Sequence, residues 1–114
     1  MTLLEMLKMG AAVVTVVTGL VSFVRPRSVQ GFTGLATTSV RGVTEIRAVL
    51  GGAFIALGAI PLVTGAPETY RMLGLVYLVI GATRVVGMFV DGSFERSNLI
   101  SLAVEIVFGV ILVP

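Results

Sequence analysis

The chain has 114 residues, the size of a single domain; 56% of them are hydrophobic and 12% are charged. The mean hydropathy of +1.08 and the uncharged stretches 9–24 and 48–64 exclude an ordinary soluble domain and indicate an integral membrane protein. The absence of cysteine and histidine excludes disulfides, thiolate chemistry and the usual ligands of zinc and haem iron, and a net charge of +2 does not indicate nucleic acid binding.

The first predicted membrane helix covers residues 3–24. It contains Glu5 and Lys8 near its start, and it ends at the polar segment Arg25-Pro26-Arg27. A cleaved signal peptide is the alternative interpretation, because a basic start and an apolar run are both present. No small-x-small cleavage motif precedes Arg25, however, so the sequence favours a retained transmembrane helix.

Residues 25–43 are rich in glycine, serine, threonine and arginine, and they are too polar to cross a bilayer. They predict a long connection that lies at the membrane surface. The second predicted helix covers residues 45–64. Gly65-Ala66-Pro67 then predicts a tight turn, so the second and third helices are expected to be antiparallel neighbours.

The third predicted helix covers residues 68–90, and the fourth covers residues 97–113 after a polar turn at 91–96. The fourth is short for a hydrocarbon core about 30 Å thick, which takes about 20 helical residues to cross. The expected fold is therefore all-α, with residues 1–114 forming one transmembrane domain. It is an integral membrane four-helix bundle with a long polar connection between helices 1 and 2.

Four crossings place both termini on one side of the membrane and the connections 25–43 and 91–96 on the other. The side of the connections carries more basic residues than the side of the termini, which has Lys8 and Arg71. The basic residues on the side of the connections are Arg25, Arg27, Arg41 and Arg96, with Arg47 close by. The positive-inside rule therefore predicts that both termini lie outside and both connections are cytoplasmic.

Two ionisable residues fall within the predicted spans, Arg84 in the third helix and Glu105 in the fourth. Each such group costs about 2.5–3.5 kcal/mol at the centre of a membrane helix, so each requires a partner or a role. Helices 3 and 4 are antiparallel, and both residues lie about 10 Å from the turn that joins them. We therefore expect Arg84 and Glu105 to form a pair.

Other polar residues extend this pair into a candidate network in the cytoplasmic half of the bundle. Tyr77 and Asp91 share a helical stripe with Arg84, and Glu45 and Arg47 enter the membrane near the same level. Three interpretations are open: a structural network that balances its own charges, a proton path or head-group site, or side chains that extend to the interface.

Small residues follow one side of the first helix and recur in the second helix as Ala48, Gly52 and Ala56. Such small-xxx-small spacing lets helix backbones approach each other in a membrane. It indicates packing within the chain, with a dimer interface as the alternative.

Three segments carry a resemblance to a known family: RGVTEIRA at 41–48 with Gly51-Gly52, Gly74-Leu75 with Arg84, and EIVFG at 105–109. Over nearly its whole length the chain resembles an uncharacterised bacterial family named domain of unknown function 4345, which is similar to the DoxX-like four-helix membrane proteins. The resemblance implies a four-helix membrane bundle in the bacterial inner membrane.

The resemblance also implies that Arg41, Glu45 and Arg47 are the motif positions of greatest importance. It leaves the activity open, because some DoxX-like relatives are associated with quinol or thiosulfate oxidation complexes and others with membrane-protein maturation.

The leading functional hypothesis is a small non-catalytic membrane protein with no cofactor. It is expected to act as an accessory or assembly subunit in a homo-oligomer or larger membrane complex, or to bind a lipophilic ligand such as a lipid or quinone. The alternative is a small transporter or proton-coupled carrier that uses the arginine–glutamate network. An enzyme acting on a membrane-soluble substrate is a third possibility, with Glu45 and Glu105 as its carboxylates.

Overall fold

The computed structural model describes all residues, 1–114, and every regular element in it is helical. The elements in chain order are α1 (Leu3–Val24), a 3₁₀ turn (Pro26–Val29), α2 (Gln30–Thr33), α3 (Val40–Glu45), a π-helical stretch (Ile46–Ala53), α4 (Phe54–Thr64), α5 (Pro67–Asp91) and α6 (Arg96–Leu112). The all-α fold class expected from the sequence is confirmed.

Three helical segments are long and apolar enough to cross a membrane. They are α1, the continuous segment Val40–Thr64 that joins α3, the π-helical stretch and α4, and α5. Only 22–28% of the residues in their most apolar windows are buried within the protein. Most of this apolar surface is therefore available to lipid or to other chains.

The second of these segments begins at Val40, earlier than the start at residue 45 expected from the sequence. The cause is an N-cap: the Ser39 hydroxyl accepts a hydrogen bond from the Gly42 N–H at 3.2 Å. The polar connection also contains the short helical turns at Pro26–Val29 and Gln30–Thr33. The expected uninterrupted connection over residues 25–43 is thus largely helical.

The chain divides into two compact units. The first unit is Met9–Gly65, and the second unit comprises Met1–Lys8 and Ala66–Pro114. Each is described by itself.

In the first unit, α1 lies against the second span with backbone touching backbone. A Cβ atom added at Gly19 would lie 2.6 Å from the Ile55 nitrogen, and one added at Gly58 would lie 2.5 Å from the Ala12 carbonyl oxygen. Small residues are required at these two positions because no side chain fits between the helices. The small-residue side of α1, which includes the buried Ala12 and Thr15, is the side turned towards protein.

In the second unit, α5 and α6 form an antiparallel hairpin. Gly92 ends α5 with a φ of +67°, in the left-handed region that favours glycine. Its N–H and that of Ser93 both donate to the Met88 carbonyl, which closes the helix end. At the far end of the hairpin, a Cβ at Gly74 would lie 2.8 Å from that of Leu112.

Candidate functional site

The most polar site in the second unit is an ion pair between α5 and α6. Arg84 donates from Nε to Glu105 Oε1 at 2.8 Å and from a terminal nitrogen to Oε2 at 2.6 Å. The pairing is bidentate, which gives both strength and a fixed orientation. The Glu105 side chain is 8% exposed and that of Arg84 is 30% exposed, so the carboxylate is enclosed while the guanidinium reaches the surface.

The hairpin brings these two side chains together because each lies at a similar distance from the turn between α5 and α6. Gly81, one helical turn before Arg84, lies against Glu105: a Cβ there would be 3.6 Å from the Glu105 Cβ. A small residue at this position leaves room for the carboxylate beside α5. The pair expected from the sequence is present, while its role in binding stays a prediction.

Asn98 extends the ion pair towards the turn. The second terminal nitrogen of Arg84 donates to Asn98 Oδ1 at 2.8 Å, and Asn98 Nδ2 donates to the Ser93 carbonyl at 2.8 Å and hydroxyl at 3.2 Å. Sequence analysis placed Asn98 on the Glu105 face of its helix but did not include it, or Ser93, among the site residues. Its position seven residues before Glu105 was the signal that would have found it.

Asp91 was expected to join the network and lies elsewhere. It is the exposed last residue of α5, and the Arg84 guanidinium bonds to Glu105 and Asn98 in its place. Tyr77 lies deep in the hairpin, 7% exposed, with its ring edge-on to that of Phe108 at 5.4 Å between centroids. Tyr77 therefore contributes an aromatic contact between α5 and α6.

A groove of about 330 Å³ opens on α5 beside the guanidinium. Val79, Ile80, Thr83 and Arg84 line it, and the Thr83 hydroxyl donates to the Val79 carbonyl at 2.8 Å. The surface is thus apolar along one part and offers guanidinium N–H groups along another. This combination suits an amphipathic molecule.

The motif residues of the first unit have partners within that unit. Arg41 and Glu45 form an exposed ion pair, as their i,i+4 spacing on a helix permits. Arg47 donates to the Phe23 carbonyl of α1 at 2.7 Å, and its guanidinium carbon lies 5.8 Å from the centre of the Phe23 ring. The expected extension of the Arg84 pair through Glu45 and Arg47 is replaced by these local contacts.

A second groove, of about 480 Å³, lies along the second span of the first unit. Its lining is mostly apolar and includes Phe23, Arg47, Ala48, Gly52 and Ile55. The first unit thus also combines a cation with an open apolar surface.

No group of three or more histidine, cysteine, aspartate or glutamate side chains is placed to hold a metal ion. The charges of the chain are instead engaged in the pairs and carbonyl contacts described above.

The model of one protein family matches the chain. Its description is Domain of unknown function (DUF4345), and the match covers residues 3–114. No curated protein and no solved structure matches the chain.

Proposed function

We propose that this chain, which belongs to the DUF4345 family, is a non-catalytic integral membrane protein that binds a lipophilic molecule, a lipid or a quinone, at Arg84. The ligand places a hydrogen-bond acceptor on the guanidinium and its hydrocarbon part along the groove of α5.

The observation that carries this proposal is the partly committed guanidinium of Arg84. Glu105 and Asn98 engage three of its N–H groups, and an arginine has five. Two donors therefore stay available on a side chain that is 30% exposed and borders an apolar groove. Because Glu105 and Asn98 hold the guanidinium in place, a ligand meets it already oriented.

The charge of the site favours a neutral acceptor. The carboxylate of Glu105 balances the guanidinium at hydrogen-bond distance, so the pair has no net charge to attract an anion. A ketone or ester oxygen accepts from the free N–H groups without disturbing this balance. These are the acceptors of a quinone ring and of a lipid glycerol ester.

The experiment is equilibrium binding of decylubiquinone, and of a short-chain diacylglycerol, to the full chain in a mild detergent. The test variant is Arg84→Gln combined with Glu105→Gln, which removes the donors and keeps the site neutral. We expect at least one of the two probes to bind saturably to the unmodified protein and about tenfold more weakly to the variant, a change of about 1.4 kcal/mol.

Arg71→Gln is the matched control. Arg71 also lies on α5, but it donates to the Val113 carbonyl at 3.1 Å at the other end of the hairpin, so its replacement leaves binding unchanged. Equal binding by the double variant and the unmodified protein, with both folded by their thermal melting, would contradict the proposal.

We propose further that α6 crosses the membrane beside α5, so that the chain spans it four times as the DoxX-like resemblance implies. The support is the pairing itself. Arg84 belongs to a segment apolar enough to cross a membrane, and its carboxylate partner belongs to α6. A buried pair requires both side chains at the same depth. At 17 residues, α6 spans about 26 Å.

The accessory role rests on the uncovered apolar surface. Large hydrophobic side chains of the spans, among them Val79, Phe89 and Val110, are 62–74% exposed. We propose that lateral association with like or unlike membrane proteins covers part of this surface. Light scattering of the protein in mild detergent tests this, and a monodisperse monomer with no co-purifying protein would count against it.

A further inference from the structure

We infer that the first unit carries a separate site for one anionic phospholipid, with the phosphate on Arg47 and an acyl chain in the groove beside it. This site involves none of the residues proposed to hold the ligand at Arg84, and it stands independently of that proposal.

The first argument is charge. The first unit contains four arginines and a single acidic residue, Glu45, all between Arg25 and Arg47. Glu45 is paired with Arg41. Arg47 bonds to a backbone carbonyl, which carries no formal charge, so its positive charge has no carboxylate to balance it. Basic residues at the membrane surface attract anionic lipids by about 1 kcal/mol each.

The second argument is the fixed position of Arg47. Its hydrogen bond to the Phe23 carbonyl at 2.7 Å and its place 5.8 Å from the Phe23 ring centre hold the guanidinium against α1. One N–H is used in this way, and a guanidinium has five donors. The exposed side chain therefore presents a pre-oriented fork of donors, the geometry that matches a phosphate.

The third argument is the groove beside this cation. It measures about 480 Å³, within the size range of pockets that hold small molecules. Its floor is open at Gly52, where an added Cβ would meet only the Arg47 carbonyl oxygen at 4.0 Å. The apolar side chains of Phe23, Ile55 and Ala56 line it, so it suits hydrocarbon and gives a soluble phosphate compound nothing to bind.

The backbone at the groove is also unusual. Residues Ile46–Ala53, which include Arg47, Ala48 and Gly52 of the lining, are π-helical. Stretches of this kind are rare in proteins and occur frequently at functional sites. An uninterrupted α-helix would place Arg47 at a different angle to α1, so the π-helical stretch is part of how the cation and the groove come together.

The test is titration of the full chain in mild detergent with phosphatidylglycerol and with phosphatidylcholine of the same acyl chains, followed by native mass spectrometry. We expect phosphatidylglycerol to bind about fivefold more tightly, which corresponds to about 1 kcal/mol. Arg47→Gln removes this preference, and Arg47→Lys keeps most of it. Gly52→Leu fills the groove and weakens the binding of both lipids.

Arg27→Gln is the matched control, because it removes the same charge from the same unit at a position outside the groove. It keeps the preference if the lipid binds at Arg47. Equal affinity of the unmodified protein for both lipids would overturn the inference, as would a preference that survives Arg47→Gln. A loss in Arg27→Gln equal to that in Arg47→Gln would also overturn it, since it would mean diffuse attraction without a site.

Two further measurements separate the possible sources of binding. Glycerol 3-phosphate, which has the phosphate and no acyl chain, is expected to leave bound phosphatidylglycerol in place, and displacement at equal concentration would overturn the lipid assignment. The Arg84→Gln/Glu105→Gln variant is expected to keep its lipid preference, so failure of the Arg84 proposal leaves this inference standing and the reverse also holds.

Discussion

At the scale of single residues, the ion pair between α5 and α6 shows how the chain tolerates charge within an apolar segment. Arg84 or Glu105 alone would cost about 2.5–3.5 kcal/mol at the centre of a membrane helix. Together they satisfy each other through two short hydrogen bonds, and Asn98 takes up a further guanidinium donor. The site is therefore a mutual solution for three polar side chains.

Removal of one partner should expose this dependence. Glu105→Gln leaves the Arg84 charge unbalanced, and we expect a loss of about 3 kcal/mol in the free energy of unfolding. Arg84→Gln combined with Glu105→Gln restores most of it, because no net charge is left behind. Unfolding by sodium dodecyl sulfate in mixed micelles measures both. A double variant no more stable than the single one would contradict the explanation.

The sequence predicted this pair and missed its surroundings for identifiable reasons. Equal distance from a turn fixes the depth of Arg84 and Glu105 along antiparallel helices, so their meeting follows from helix geometry. The bond from Asn98 to Ser93 depends on the conformation of the turn, set by the positive φ of Gly92. Asp91 was assigned to the network from spacing alone, and the carboxamide of Asn98 occupies that role.

At the scale of helices, contact between backbones defines the first unit. Gly19 and Gly58 allow α1 to approach the second span so closely that any side chain at either position would overlap backbone atoms. The spacing of small residues predicted such packing. The π-helical stretch Ile46–Ala53 was not predicted, because its residues are compatible with an ordinary α-helix and the wider turn depends on contact with α1.

Two glycines of the same unit should respond in opposite ways to alanine. At Gly58 the new methyl group would lie 2.5 Å from the Ala12 carbonyl, and we expect Gly58→Ala to cost about 1–3 kcal/mol of stability through overpacking. At Gly10, in the middle of α1, nothing lies within 4 Å. Gly10→Ala is expected to be neutral or stabilising by up to about 1 kcal/mol.

Thermal unfolding in detergent measures this pair of variants. An equal loss of stability in both would mean that helix propensity or detergent contact, and not the approach of α1 to α4, governs the effect.

At the scale of the whole molecule, the uneven distribution of charge along the sequence was the basis for predicting orientation. Apolar content and segment length are sufficient to predict three membrane helices, because crossing a bilayer imposes both. The start of the second one at Val40 was missed, since a capping serine acts through local hydrogen bonds that hydropathy does not register. The arrangement of the spans depends on packing, which composition alone does not determine.

The absence of cysteine makes the orientation directly measurable. Single cysteines at Thr2 and at Gly31, both exposed, lie on opposite sides of the membrane if both termini are outside and residues 25–43 are cytoplasmic. We expect Thr2→Cys to react with a membrane-impermeant maleimide on intact cells, and Gly31→Cys to react only after permeabilisation. The opposite pattern would reverse the orientation, and reaction at both sites in intact cells would contradict an odd number of crossings between them.

The hairpin of α5 and α6 has a consequence for biosynthesis. Arg84 leaves the ribosome before its carboxylate partner, which follows 21 residues later. While α5 alone occupies the translocon, its arginine opposes release into lipid. We expect integration of α5 to wait for α6, so that both helices enter the bilayer as one unit. A chain cut after Phe94 should therefore leave α5 poorly integrated, and Arg84→Leu in the same truncated chain should restore its insertion.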